Sequence, residues 1–162
     1  MSLGDFSIKD AGGLSNVPTW RYRVAAGSTT INAGEPVKLT AAAGAYVVRS
    51  ADAEPVTGTA TFVGFAASTS TQTAGADGVV DVYLPNPNVV FRGNAKVPTA
   101  VDTDAELIGL LMNRVVVDLT GAVFTLDESA ADAATNGLVI VGGDILTGKV
   151  DFIVRNSVLY RN

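Results

Sequence analysis

The sequence predicts an all-β fold, a β-barrel or sandwich of short antiparallel strands, with two short helices and an extended N-terminal arm. Three observations carry this. Most apolar runs are roughly four to seven residues long, the length of a strand rather than a helix. Turn residues recur about every ten residues, as in β-sandwiches and barrels. Helical patterns do not alternate with strands, as a parallel α/β sheet would require. The chain has 162 residues, the size of one domain. We divide it into an arm, 1–19, and a single β-rich domain, 20–162.

Residues 1–19 mix Gly, Ser, Asp and Asn with the spaced apolar residues Phe6, Ile8 and Leu14. Gly12-Gly13 and Pro18 interrupt any element that starts. The expectation is an arm that is disordered alone or laid along a neighbour. From Trp20 the pattern alternates: Trp20, Tyr22 and Val24 on one face, Arg21, Arg23 and Ala25 on the other. Short strands follow at 37–40, 46–49, 59–67 and 79–84, with a bend at 41–45 and a polar loop over 68–78. Pro85-Asn86-Pro87-Asn88 reads as a rigid turn before a returning strand at 89–91.

Two helices are expected next. Thr103-Asp104-Ala105-Glu106 fits a capping box, followed by Leu107, Leu110 and Leu111. Thr125-Leu126-Asp127-Glu128 fits another, running through the alanine-rich 130–134 to a stop at Asn136-Gly137. Strands at 115–119, 138–141, 150–154 and 158–160 complete the chain.

Two stretches look alike. Gly78-Val79-Val80-Asp81-Val82-Tyr83 leads to Val89-Val90-Phe91-Arg92, and Gly148-Lys149-Val150-Asp151-Phe152-Ile153 leads to Val158-Leu159-Tyr160-Arg161. Val63-Gly64-Phe65 parallels Val141-Gly142-Gly143 more weakly. One reading is a duplicated β unit with similar halves at about 30–94 and 103–162. The other is two β-hairpins written in the same limited alphabet. In either case Asp81 with Arg92, and Asp151 with Arg161, would form cross-strand ion pairs that help to set register.

Composition excludes much. There is no Cys and no His. Cys/His zinc sites, thiol nucleophiles, disulfides and imidazole catalysis are therefore out. The net charge is −5 and the basic residues are scattered, which argues against nucleic acid as partner. No apolar run reaches membrane-spanning length. The first residues lack the basic start and apolar stretch of a secretory signal. No phosphate loop, nucleophile elbow or paired-carboxylate signature is present, so no enzyme and no cofactor are expected. Asp102-Thr103-Asp104-Ala105-Glu106 has alternating carboxylates, but Leu107 and Asn113 stand where a calcium loop needs Gly and Glu. A helix start explains these acids better. Asp127, Glu128 and Asp132 read the same way, and calcium at the Asp77 loop or between subunits stays open. Hydrophobic residues are 48% and charged residues 17%, against about 25% charge in an average domain. Mean hydropathy is +0.32. Some apolar surface is expected to be hidden by a partner.

The chain resembles the small β-rich decoration, or cement, proteins of tailed bacteriophage capsids and related virion structural proteins. Ala33-Gly34-Glu35-Pro36-Val37, Phe62-Val63-Gly64-Phe65-Ala66-Ala67, the run Asp77 to Pro85, and Gly148-Lys149-Val150-Asp151-Phe152 carry the resemblance, with the Cys-free, His-free composition. It implies a non-enzymatic protein on the outer capsid surface of a virion. The implied partner is the major capsid protein, bound by a homo-oligomer, with a trimer favoured. It makes the arm the capsid contact, anchored by Phe6, Ile8 and Leu14. Trp20 is the fourth partner-binding candidate. Core packing is the expected use of Trp20 and Tyr22, and an exposed platform for sugar the alternative. A carbohydrate- or receptor-binding surface module, or a tail-tube or head-completion subunit, is the alternative function.

Overall fold

The computed structural model describes residues 6–40, 46–58 and 61–159. The strands β1 (Ser7–Asp10), β2 (Thr19–Val24), β3 (Pro36–Leu39), β4 (Val47–Arg49), β5 (Phe62–Ala66) and β6 (Gly78–Tyr83) come first. Then follow β7 (Val90–Asn94), the helix α1 (Asp104–Leu110), β8 (Arg114–Thr120), β9 (Val123–Asp127), β10 (Leu138–Asp144) and β11 (Lys149–Val154). Short 3-10 turns lie at Pro98–Ala100 and Asn156–Val158. The protein is mostly β, in two antiparallel sheets ordered β2-β6-β5-β3-β4 and β1-β7-β11-β10-β8-β9.

In each sheet a bridge brings together strands that are not neighbours in the strand order. A parallel bridge between Arg23 and Tyr46 brings β4 back beside β2, and one between Ala95 and Leu126 brings β9 back beside β7. Apart from β1, the two sets of five strands have one topology: first, fifth, fourth, second, third. The sets run over 19–83 and 90–154, an offset from the halves expected at about 30–94 and 103–162. The offset arises because β7 opens the second set instead of closing the first. The two similar stretches beginning at Gly78 and Gly148 fall on the fifth strand of each set, β6 and β11. The weak parallel upstream falls on the fourth. There the β3–β5 register shifts at Val63-Gly64, and the β10–β11 register shifts at Val141.

Among the described residues, the hairpins expected after β6 and β11 are not seen. β6 pairs with β2, whose six residues oppose it without interruption. Pro85-Asn86-Pro87-Asn88 instead carries the chain from one sheet to the other. The ion pairs change partner for the same reason: Asp81 faces Arg21, and Asp151 faces Arg92. Tyr160 and Arg161 lie outside the described residues, as does the bend expected at 41–45. The strand expected at 158–160 begins instead as the 3-10 turn, with Leu159 bridged to Phe62.

The first set encloses Val24, Ile31, Val37, Leu39, Val47, Val63, Ala66, Val80 and Val82. The second encloses a larger core that includes Phe91, Phe124, Leu126, Leu138, Ile140 and Phe152. β5 serves both and is buried along its whole length. Val63 and Ala66 face the first core, while Phe62 and Phe65 join the second. Strict alternation would separate residues three apart; the bulge at Val63-Gly64 adds one residue and restores the shared face. Gly64 is required there, because its φ is +154° and a Cβ would collide with the Tyr83 carbonyl. The segment 51–57 also joins the sets. Ala53 N–H donates to Val117 O (3.0 Å), Val117 N–H to Glu54 O (2.7 Å) and Gly137 N–H to Pro55 O (2.9 Å).

The capping box at Thr103 forms as the spacing predicts: the Thr103 hydroxyl accepts from Glu106 N–H at 3.3 Å, and Glu106 reaches back to Thr103 N–H at 3.2 Å. The second expected helix does not form. Residues 123–127 are strand β9, with Thr125 opposite Asp118 and Asp127 opposite Val116. Leu126 is fully buried, and the Glu128 carboxylate accepts from Lys96 and Val97 N–H at 2.8 and 2.7 Å. These tertiary bonds outweigh a local preference worth about 1 kcal/mol.

Candidate partner-binding surface

The four expected contact residues divide into two pairs. Phe6 is 4% exposed. Its ring lies edge-on to Phe65 at 5.0 Å and to Phe152 at 5.2 Å, and its N–H donates to Gly34 O at 3.1 Å. Gly93 makes room: a Cβ there would strike the Phe6 ring. Ile8 is half-buried against the same core, opposite Phe91. Phe6 and Ile8 thus hold β1 onto β7 of their own chain, rather than lying along a neighbour.

Leu14 and Trp20 stay outside, at 45% and 63% exposure. Leu14 sits on a turn, its N–H donating to Ala11 O at 3.2 Å. Trp20 explains itself by the gradient along β2. Val24 is fully buried, Tyr22 is half-buried against the first core, and Trp20 lies past the last core layer. The expectation that Trp20 packs in the core is therefore corrected. Between the two, the Pro18 carbonyl accepts from Leu84 N–H at 2.9 Å and ties the segment down.

Further exposed apolar residues lie outside the sequence expectations. Ile108, Met112 and Leu146 are 67%, 70% and 91% exposed. α1 buries none of its seven residues. Met112 N–H donates to Ile140 O at 2.8 Å, fixing the helix end beside β10. A sequence signal exists at the helix: Leu107, Ile108, Leu110, Leu111 and Met112 are more apolar residues than one face of a seven-residue helix can cover.

Of the carboxylates weighed as metal ligands, Asp77, Glu106, Asp127, Glu128 and Asp132 are engaged within the fold. Asp77 accepts from Tyr46 Oη at 2.7 Å, Ala26 N–H at 2.9 Å and Arg23 Nη2 at 2.8 Å. The tyrosine hydrogen bond, then the backbone one, hold its carboxyl below the usual range. Arg23 also stacks on Tyr46, 4.7 Å from the ring centre. This trio sits at the bridge between Arg23 and Tyr46. Lys96 follows Ala95, whose bridge to Leu126 joins the end of β7 to β9, and lies 2.8 Å from Asp118 and 3.1 Å from Asp127. Asp118, then Asp127, push the Lys96 ammonium up. Asp132 takes a bidentate contact from Arg114 at 2.7 and 3.0 Å, and this lowers its carboxyl to about 2. At the helix start, Glu106 is held low by Thr103 and then Asp102, while hydrogen bonding to Glu106 raises Asp102. Among the described residues, no three His, Cys, Asp or Glu side chains are grouped to hold a metal ion, and no helix is long and apolar enough to cross a membrane.

No protein-family model, curated protein or solved structure matches this chain.

Proposed function

We propose that this chain is a non-enzymatic structural protein of the capsid-decoration kind, bound to the outer surface of a phage head through the major capsid protein. It acts as a homo-oligomer, with a trimer favoured, and each set of five strands is a small closed barrel of one duplicated unit. One observation carries the reading: the large apolar side chains left uncovered, with Trp20 at 63%, Met112 at 70% and Leu146 at 91% exposure. Trp is enriched among the anchors of protein interfaces, so an indole this open is a favoured partner contact. Leu14 and Trp20 are the capsid contacts; Phe6 and Ile8 fix the arm that presents them.

The test is the copy number of the polypeptide in purified particles from its source, by quantitative mass spectrometry against the major capsid protein. A near-equal ratio is expected, and a Trp20→Ala chain should lose attachment by about tenfold or more. Absence from particles removes the reading, and a handful of copies redirects it to a tail or head-completion role.

The exposed Trp20 also favours one other reading, a carbohydrate- or receptor-binding surface module, since an open indole beside Tyr22 can stack on a sugar ring. Glycan affinity lost in Trp20→Ala, without particle attachment, would establish it.

A further inference from the structure

The cleft between the two sets of strands holds an arginine with unused donors. Ser28, Thr29, Val48, Arg49 and Leu119 line it, around a volume of about 280 Å³. Ser28, Thr29, Val48 and Arg49 come from the first set and Leu119 from the second, so the cleft exists only because the sets pack together.

Arg49 is held in place from two sides. Glu35, 1% exposed, lies 3.0 Å from its Nε. The guanidinium rests over the Phe124 ring, 5.1 Å from the centre. Glu35 is held in turn, accepting from Asn32 N–H at 2.9 Å and Asn32 Nδ2 at 3.1 Å. Yet the guanidinium is poorly satisfied. Nε and Nη2 are buried without an aligned hydrogen bond. Nη1 is not buried in this way, and no bond from it is found among the described residues. Nη1 is thus the donor that an acceptor in the cleft can reach, and a guanidinium short of aligned acceptors favours one there. The Ser28 and Thr29 hydroxyls are likewise unengaged among the described residues.

We propose that this cleft binds a small carboxylate. Arg49 supplies the charged donor, Ser28 and Thr29 supply hydroxyls to a second polar group, and Val48 with Leu119 form an apolar wall. A carboxylate fits better than a neutral acceptor, because hydrogen bonds between ions are shorter and about twice as strong. Glu35 already balances the arginine charge, so recognition is local and affinity modest.

Galacturonate, N-acetylglutamate and galactose would each be titrated into the full chain, following the Arg49 Nε–H resonance and the Ser28 and Thr29 amides by NMR. A saturable shift is expected with at least one carboxylate, with a Kd on the order of 1 mM, and galactose at least about tenfold weaker. The tighter of the two carboxylates tells a sugar acid from an acidic amino acid as the source. Arg49→Gln should abolish the shift. Since that variant disturbs a buried pair, Thr29→Val serves as the second test, with an expected weakening of about fivefold to tenfold. Galactose binding as well as galacturonate, no saturable shift with either carboxylate, or unchanged binding in a folded Thr29→Val chain would each overturn the proposal.

Discussion

The two sets of strands share a topology but solve their interiors differently. Among the described residues, the first is filled by valines and other aliphatics, with no aromatic ring in its buried core. The second gathers Phe91, Phe124 and Phe152 and also draws in Phe6, Phe62 and Phe65 from outside its own five strands. The same contrast marks their equivalent ion pairs. Arg21 and Asp81 have side chains 67% and 35% exposed, whereas Arg92 and Asp151 are at 20% and 12%. β1 accounts for part of this, since Ser7 lies opposite Arg92 and no described strand takes that place beside Arg21. One strand order can thus serve as a self-contained unit or as the seat for the rest of the chain. What decides is which face of β5 and which extra strand it receives.

The contrast can be broken first at its centre. Phe65 touches Phe6, Phe62, Phe91 and Phe152, with centroids 4.7–5.8 Å away. Phe65→Ala should cost about 3–5 kcal/mol in urea unfolding. Val82→Ala, in the aliphatic core, should cost about 2 kcal/mol. Equal losses would mean that the two cores are not distinct in weight.

Gly93→Ala should come next, at about 1–3 kcal/mol, because the new methyl displaces Phe6. The specific expectation is faster amide exchange at residues 7–10 with β2–β6 unaffected. Uniform acceleration across both sheets would show that β1 is not a separable part of the second set.

Asp151→Asn should cost about 1.5–3 kcal/mol, since it weakens two charged hydrogen bonds at 2.6 and 2.8 Å in a partly covered site. Asp81→Asn should cost less and lose its effect in high salt, because the exposed pair is screened. A salt-insensitive Asp81→Asn loss would erase this difference between the sets.

The smallest effect is expected from acid. The Asp132 carboxyl sits at about 2 against an ordinary 3.8. A carboxyl lowered on folding stabilises fully above its unfolded value and stops doing so as pH falls through its folded one. Its contribution should therefore fade between about pH 4 and pH 2 in the native chain. In Asp132→Asn that part of the pH dependence should be missing from thermal unfolding curves.

Much of the fold is legible because its signals are local. Trp20-Arg21-Tyr22-Arg23 shows its alternation within a few residues, and Thr103 with Glu106 carries a complete cap. The two Gly-x-Val-Asp stretches mark equivalent strands. Strand partners are not legible. Sequence neighbours read as hairpins, but β6 turns back to β2, so that Val24 opposes Gly78 with β3, β4 and β5 lying between them in the chain. Such a pairing leaves no mark in a short window, because the residues that recognise each other never share one. The chain tolerates it because the entropy of closing a loop grows only slowly with loop length.

The contact residues are half legible. Phe6, Ile8, Leu14 and Trp20 stand out as apolar residues in a polar segment or on a strand face. Hydropathy alone does not tell a residue that docks on its own chain from one that stays outside. Phe6 is buried because the distant Gly93 leaves space for its ring. The helix expected over 125–134 fails in the same way: its cap signal is real, but Glu128 finds backbone donors at Lys96 and Val97 instead.

By itself, then, the sequence determined the class of the protein. Strand-length apolar runs, frequent turns and one capped helix leave an all-β chain as the consistent solution, because backbone propensity and side-chain alternation act within a few residues. Only the tertiary structure decided which strands pair and which apolar residues remain outside. Those outcomes depend on steric fit and hydrogen-bond partners brought together from distant parts of the chain, and no local pattern encodes them.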